Sequence, residues 1–149
     1  MKLLVATDGS EASTAALAYA TDIADATGAA VTVAYAVEPD VFDTGGDEPI
    51  STAADADERL IIQNVEDAER RGLAALEDAA EFAADLGTQV ETELLYGNPV
   101  AAITDYAAAD GFDTIYLGHR GRSERTDLMV GSVAKEVVER ATMPVTVVR

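Results

Sequence analysis

Short apolar segments alternate with helical hydrophobic patterns along the whole of this 149-residue chain. Four segments are apolar almost throughout, which is typical of strands buried on both faces of a sheet; they are residues 3–7, 31–37, 114–118 and 144–148. A fifth segment, 89–95, alternates polar and apolar residues and therefore predicts an edge strand with one face in water. Helical segments separate the five strands, and strands joined through helices run parallel.

This alternation predicts a single α/β domain over residues 1–149, a doubly wound five-stranded parallel sheet with strand order 3-2-1-4-5 and helices on both faces. Gly28 and Gly87 follow the first and second helices, the second covering about 53–86. Asn98 with Pro99 forms an N-cap and first turn for the third. The apolar stripes of the first, second and fourth helices are Ala16, Tyr19, Ala20 and Ile23; Leu76, Ala79, Ala80 and Ala83; and Val130, Val133, Ala134 and Val137.

The chain is strongly acidic, with 28 acidic and 10 basic residues, a formal net charge of −18 and only two lysines, Lys2 and Lys135. This balance argues against a nucleic-acid partner, because such binding rests on neutralising phosphates with Lys and Arg. Two interpretations of the acidity stay open. The acids form a solvated surface that keeps the protein in solution, or they adapt a halophilic protein to concentrated intracellular salt, which screens their repulsion.

The composition also limits the compartment and the chemistry. There is no cysteine, which excludes disulfides, thiol catalysis and cysteine-ligated metals. No apolar run approaches the roughly 18 residues that a membrane span needs. The first residues, MKLLVATDGS, become polar sooner than a signal peptide would. We therefore expect a cytoplasmic protein with no membrane partner.

A binding site is expected where the first and fourth strands end. In doubly wound sheets, ligands bind beyond the carboxyl ends of the strands, at the point where the strand order reverses. The carboxyl ends of these two strands carry TDGS (7–10) and GHRGR (118–122). An acid, several glycines and arginines are therefore expected to meet in one crevice.

The glycine-rich segment has features that suit a polyphosphate. Gly118 and Gly121 let the backbone approach a ligand without a side chain in the way. Gly131 and Ser132 open the fourth helix, whose N–H groups and dipole favour an anion, and the Ser132 hydroxyl can cap the helix or donate to the anion. From spacing alone, an alternative stays open, in which the glycines serve turns, the serine is a cap and the arginines are solvated.

The spacing G-x2-G-x9-G-S, formed by Gly118, Gly121, Gly131 and Ser132, resembles the nucleotide-binding signature of the universal stress protein family. The resemblance extends over almost the whole chain, through LLVATDGSEAS, VEP, YGNP and the closing SVAKEVVERATMPVTVV. It implies the ATP-binding branch of that family, with Mg²⁺ or Mn²⁺ carried on the phosphates.

The resemblance also implies roles for particular residues. Two departures from the common pattern are Ala6 and Ala36, which are smaller than usual, and His119, which stands where a small polar residue is common. The implied nucleotide-binding residues are Ala6, Ala36 and Val37 for the adenine; Asp8 for the ribose or a metal-bound water; Leu117 and Gly118 for the ribose; and Gly121, Gly131, Ser132 and Val133 for the phosphates.

These features indicate a nucleotide-dependent stress or signalling switch rather than a turnover enzyme, with slow ATP hydrolysis left open. There is no G-x4-G-K-[ST] motif, no serine with an evident partner, and His119 is read more simply as a loop residue than as a general base. A phospho-accepting receiver would need clustered acids around Asp8 and a lysine after the fifth strand. A hydrolase or ligase would need a nucleophile elbow or a lysine in the crevice. A ligand-free dimeric scaffold remains the third alternative.

The fifth strand is expected to form a homodimer. The segment Met143–Arg149 lies at a predicted sheet edge, contains no acid and is strongly β-forming, whereas the opposite edge carries Glu91 and Glu93. Antiparallel pairing of two such edges closes a two-fold contact. The resemblance points to the same arrangement.

Overall fold

One parallel sheet organises the chain. The computed structural model describes residues 1–38, 54–120 and 130–149, and for 54–64 it describes the backbone alone. The elements, in chain order, are β1 (Lys2–Ala6), α1 (Glu11–Thr27), β2 (Ala30–Val37), α2 (Ala54–Asp85), β3 (Val90–Tyr96), α3 (Pro99–Ala109), β4 (Thr114–Gly118), α4 (Ser132–Arg140) and β5 (Val145–Val148).

The strand order is β3-β2-β1-β4-β5 and all four neighbouring pairs are parallel, which confirms the predicted fold class. β1 lies at the centre, where Val5 is paired with Val33 of β2 on one side and with Tyr116 of β4 on the other. The chain leaves β1 toward β2 and later returns to its other side as β4. The strand order therefore reverses between β1 and β4, as the sequence predicts.

Alternate residues of β1 supply two separate cores. Leu3 and Val5 pack on the side of α1 and α2, and Leu4 and Ala6 pack on the side of α3 and α4. Leu3, Leu4 and Val5 are fully buried, and burying a side chain of this size contributes about 1.5–3 kcal/mol. A strand with both faces covered needs apolar residues at every position, which explains the continuous run in the sequence.

The predicted stripe of α1 is partly wrong. Tyr19 is 46% exposed and is not part of the core, although its ring centroid lies 5.9 Å from that of Tyr116. The buried face instead includes Ser13 and Thr21, whose hydroxyls donate to the carbonyls of Ser10 and Ala18 in the preceding turn. Because these hydroxyls are satisfied within the helix, polar residues can occupy core positions that a hydrophobic pattern misses. The buried residues of α1 are Ser13, Ala16, Leu17, Ala20, Thr21 and Ala24.

Gly72 lets the middle of α2 approach the sheet closely. A β-carbon at this position would lie 2.8 Å from Leu94 Cδ1 and 2.8 Å from Tyr35 Cδ1. A glycine in a helix interior costs about 1 kcal/mol relative to alanine. The presence of Gly72 inside α2 is therefore explained by close packing of the helix on β2 and β3.

Among the described residues, no helix has both the length and the apolar character of a membrane span.

Candidate functional site

A cleft opens at the carboxyl ends of β1, β2 and β4, over the point where the strand order reverses. Its volume is about 300 Å³, at the lower end of the range for small-molecule sites. Helices α1, α3 and α4 all begin at this edge of the sheet. The lining residues are Ala6, Thr7, Asp8, Ser13, Tyr35, Ala36, Pro99, Ile103, Leu117, Gly118, His119, Arg120, Gly131, Ser132, Val133 and Ala134.

The turn after β1 holds Asp8 at the wall of the cleft. The N–H of Thr7 donates to the Ala34 carbonyl at 2.9 Å, which extends the contact between β1 and β2. The Asp8 carboxylate accepts from the N–H of Ser10 at 2.9 Å, and the left-handed Gly9, with φ of 81°, turns the chain between them. This local bond orients the carboxylate before any ligand is present.

Gly118 allows β4 to lie against the start of α1. A β-carbon there would be 2.5 Å from the carbonyl carbon of Ala12 and 2.7 Å from its oxygen. The sequence predicts that Gly118 gives a ligand room, and the structure adds that it gives room to a helix. The glycine thus brings two walls of the cleft together.

The backbone of His119 joins the two ends of the glycine-rich segment. Its N–H donates to the Val148 carbonyl at 2.8 Å, and its carbonyl accepts from the N–H of Gly131 at 2.5 Å. The end of β4 is therefore fixed to both the end of β5 and the start of α4. Sequence reasoning missed this connection, because backbone hydrogen bonds of this kind leave no residue-type signal.

The start of α4 differs from the predicted arrangement. Gly131 is the N-cap, with φ of −63° and ψ of 157°, and Ser132 is the first helical residue rather than the cap. Ser10 and Asn98 cap α1 and α3 with side-chain oxygens, whereas Gly131 has no side chain that could do so. An N-terminus of this kind, with its N–H groups and positive dipole end, favours an anionic group.

The cleft has an apolar part and a polar part. Ala6, Ile103 and Leu117 pack together in the core beneath it. Asp8 is the only carboxylate among its described lining residues. Within the described ranges, no three acidic or histidine side chains come together as a metal cluster.

Eight of the ten predicted binding residues lie together in this cleft. Val133 is 41% exposed and lies at its rim. Val37 does not line it, because its side chain is buried in β2 and its carbonyl accepts from the N–H of Gly97 at 2.9 Å. Gly121 lies outside the described residues. The eight are Ala6, Asp8, Ala36, Leu117, Gly118, Gly131, Ser132 and Val133.

Five lining residues were missed by the sequence analysis: Ser13, Tyr35, Pro99, Ile103 and Ala134, the last of which was predicted only as part of the apolar stripe of the fourth helix. Pro99 and Ile103 lie one helical turn apart at the start of α3. The N-cap Asn98 was predicted, and it places the start of α3 at the carboxyl edge of the sheet, so these two residues could have been identified as lining the cleft. Ser13 and Tyr35 offer no such signal. They reach the cleft because α1 begins and β2 ends at this edge of the sheet, which depends on the tertiary structure.

The fold and the cleft define a doubly wound α/β domain with a cleft at its switch point. The chain belongs to the universal stress protein family, whose family model matches residues 1–149. The resemblance stated from the sequence is confirmed at this level.

Individual relatives agree over nearly the full length. Universal stress protein YxiE of Bacillus subtilis is 33% identical over 148 residues, which cover 99% of this chain and 98% of the relative. The structure of universal stress protein UspA from Lactobacillus plantarum has a TM-score of 0.81 at 28% identity and covers 100% of this chain and 97% of that one. A universal stress protein in complex with cAMP has a TM-score of 0.71 at 29% identity, with the same coverage.

Proposed function

We propose that the cleft binds ATP and that nucleotide occupancy acts as a stress or signalling switch. The observation that carries this proposal is the position of the cleft, which joins an apolar wall on β1, β4 and α3 to the glycine-capped start of α4. A nucleotide has the matching asymmetry, with a flat base at one end and an anionic chain at the other. A similar protein has been solved in complex with cAMP, which contains the same base.

The base is proposed to lie over the ends of β1 and β2. Ala6 and Ala36 are small, so they leave backbone groups accessible beside the base. Val37 would contribute through its backbone alone, and its carbonyl already accepts one hydrogen bond from Gly97. Ile103 of α3 and Leu117 of β4 supply the apolar contact that a purine face needs.

The ribose and the phosphates are proposed to extend from β4 toward α4. Asp8, Leu117 and Gly118 would line the ribose, and Gly121, Gly131, Ser132 and Val133 would hold the phosphates. The charge distribution supports this direction. Residues 120–149 contain six of the ten basic residues and four of the 28 acidic ones, which gives this segment a formal charge of +2 in a chain of −18. Arg120, the only arginine or lysine among the described lining residues, follows β4 at this end of the cleft, where its charge would attract an anion.

Mg²⁺ or Mn²⁺ is proposed to accompany the phosphates. The cleft offers a single carboxylate among its described residues, which is too few for a protein cage around a divalent cation. The nucleotide itself would supply most of the ligands. Asp8 would act through a water, since one of its oxygens already accepts from Ser10.

We further propose that β5 pairs with a second copy of the chain. β5 is an edge strand with one strand neighbour, β4, and Val138 of the adjacent helix α4 is 51% exposed. A scaffold that dimerises without a ligand is the second candidate function. It shares this edge, but it would leave the cleft without a ligand.

Calorimetry on nucleotide-stripped protein in molar KCl with Mg²⁺ tests the main proposal. ATP should bind with one site per chain, and a pyrimidine nucleotide such as CTP should bind more weakly because it lacks the purine. Absence of ATP binding, together with a dimer mass by light scattering, would favour the scaffold instead.

A further inference from the structure

A pair of hydroxyls spans the turn after β1. Thr7 Oγ1 and Ser13 Oγ are 3.0 Å apart, and both residues line the cleft. Thr7 is the first residue after β1, and Ser13 lies in the first turn of α1, where it is 4% exposed. The hydroxyl pair therefore connects the end of a sheet strand to the start of a helix, and residues 8–12 form the loop that it closes.

The direction of each hydrogen bond follows from the number of hydrogens. The Ser13 hydroxyl has one hydrogen, and it donates to the Ser10 carbonyl at 2.8 Å. The Thr7 hydroxyl must therefore be the donor to Ser13. Thr7 Oγ1 in turn accepts from the N–H of Gly9 at 3.1 Å. This chain of bonds thus begins at Gly9 and ends at Ser10, the two residues that follow Asp8.

The fold fixes both members of the hydroxyl pair. The N–H of Thr7 donates to the Ala34 carbonyl of β2 at 2.9 Å. Ser13 is held within α1, where its N–H donates to the side chain of the N-cap Ser10 at 3.2 Å. Gly9 lies between them with a φ of 81°, and a glycine has the widest choice of backbone conformations. The hydroxyl pair therefore restricts the part of the turn that its sequence leaves most free.

The orientation of Asp8 depends on this restriction. Its carboxylate accepts from the N–H of Ser10 at 2.9 Å, so a shift of the Ser10 peptide group moves the carboxylate too. Asp8 is the only carboxylate among the described lining residues, and the phosphates of a bound nucleotide would repel it. A turn that is already ordered keeps the carboxylate in place and reduces the ordering cost of binding.

We propose that Thr7 and Ser13 are positioning residues, whose paired hydroxyls hold the Asp8 carboxylate at the wall of the cleft where a nucleotide meets it. The contact of Asp8 with a nucleotide rests on the proposed function. In this role neither hydroxyl donates to the nucleotide, because each already donates within the chain of bonds.

Ser13→Ala and Thr7→Val each remove one member of the hydroxyl pair. Both keep the N-cap bond of α1, which uses the backbone N–H of Ser13. Each should weaken ATP binding by calorimetry about 3- to 10-fold, the contribution of one hydrogen bond between neutral groups. Thr14→Val is the matched control, because the exposed Thr14 hydroxyl donates to the same Ser10 carbonyl at 3.2 Å but lies outside the pair. It should keep ATP affinity within about twofold.

A double-mutant cycle with Asp8→Ala separates positioning from a purely structural role. Without the carboxylate there is nothing to position, so Ser13→Ala should cause no further loss of ATP affinity in the Asp8→Ala background. Additive losses would mean that the hydroxyls support the cleft in another way, and would overturn the inference. Unchanged affinity in Ser13→Ala and Thr7→Val, or an equal loss in Thr14→Val, would overturn it as well.

Amide hydrogen exchange of the nucleotide-free protein measures the positioning without a ligand. The Ser10 amide should exchange about 3- to 10-fold faster in Ser13→Ala than in the unmodified chain, because its bond to Asp8 is loosened, and should be unchanged in Thr14→Val. Equal exchange in all three proteins would reject the inference even where ATP binds normally. Faster exchange in Ser13→Ala, in a chain that binds no ATP, would reject the proposed function and leave the positioning of Asp8 supported.

Discussion

Gly118 at the end of β4 and Ala12 in the first turn of α1 are in backbone contact, so close that a β-carbon on Gly118 would lie 2.5 Å from the carbonyl carbon of Ala12. Two of the three nearest atoms belong to the Ala12 backbone, which cannot rotate away as a side chain can. The first residue of the nucleotide signature is therefore constrained by the fold before any ligand is considered.

Replacing Gly118 by alanine should destabilise the protein by about 1–3 kcal/mol, the usual cost of overpacking. Thermal unfolding of the nucleotide-free protein measures this. Adding Ala12→Gly should not restore stability, because it removes the β-carbon of Ala12 and leaves the two backbone contacts. An unchanged melting temperature for Gly118→Ala would show that β4 and α1 can separate at little cost.

Ser132→Ala should weaken ATP binding about 10- to 100-fold, since hydrogen bonds to charged groups contribute roughly 1.5–3 kcal/mol. Ser132 is the first helical residue and not the N-cap, so this change removes no N-cap residue from α4. Gly131→Val should weaken ATP binding further by filling the phosphate space, and the φ of −63° at Gly131 is one that valine can adopt. Calorimetry that gives wild-type ATP affinity for both variants would contradict the proposed position of the phosphates at the start of α4.

Stability should increase with salt. With a formal charge of −18 and two lysines, the folded chain repels itself unless ions screen the charges. Melting temperatures across a KCl series should therefore rise up to molar concentrations. A parallel series in sucrose controls for general exclusion of solutes from the protein surface. A flat or falling KCl series would mean that the acids serve solubility alone.

Val147→Pro should convert the proposed homodimer to a monomer without unfolding it. The carbonyls of Pro144 and Val148 accept hydrogen bonds from Ile115 and His119, so these alternate residues direct their backbone groups toward β4. Val147 has the opposite direction, so its N–H points toward the open edge of the sheet. Proline at this position removes only that outward donor and leaves the bonds to β4 in place.

Thr146→Pro is the matched control, since residue 146 shares the phase of Pro144 and Val148 and faces β4. It should lower the melting temperature of the chain itself. Light scattering in molar KCl measures the mass of each protein. A monomer mass for the unmodified chain would reject the pairing of β5.

The sequence predicts the elements well and their detailed contacts poorly. Strand positions, the edge position of β3 and the switch between β1 and β4 follow from periodicity, which depends on residue type. The exposure of Tyr19 and the N-cap at Gly131 in place of Ser132 depend on how helices are rotated and where they begin. The Gly118–Ala12 approach is a distance between elements far apart in sequence, which no local pattern contains.

The hydrogen bond from the His119 N–H to the Val148 carbonyl connects the edge strand β5 directly to a residue that lines the cleft. If nucleotide binding shifts His119, the outward face of β5 shifts with it, and subunit pairing gains a coupling free energy with the ligand. Such coupling is reciprocal: whatever factor ATP contributes to the association of two chains, association contributes to the affinity for ATP. The measured nucleotide affinity would then depend on the protein concentration, since the monomer and the dimer would have different dissociation constants.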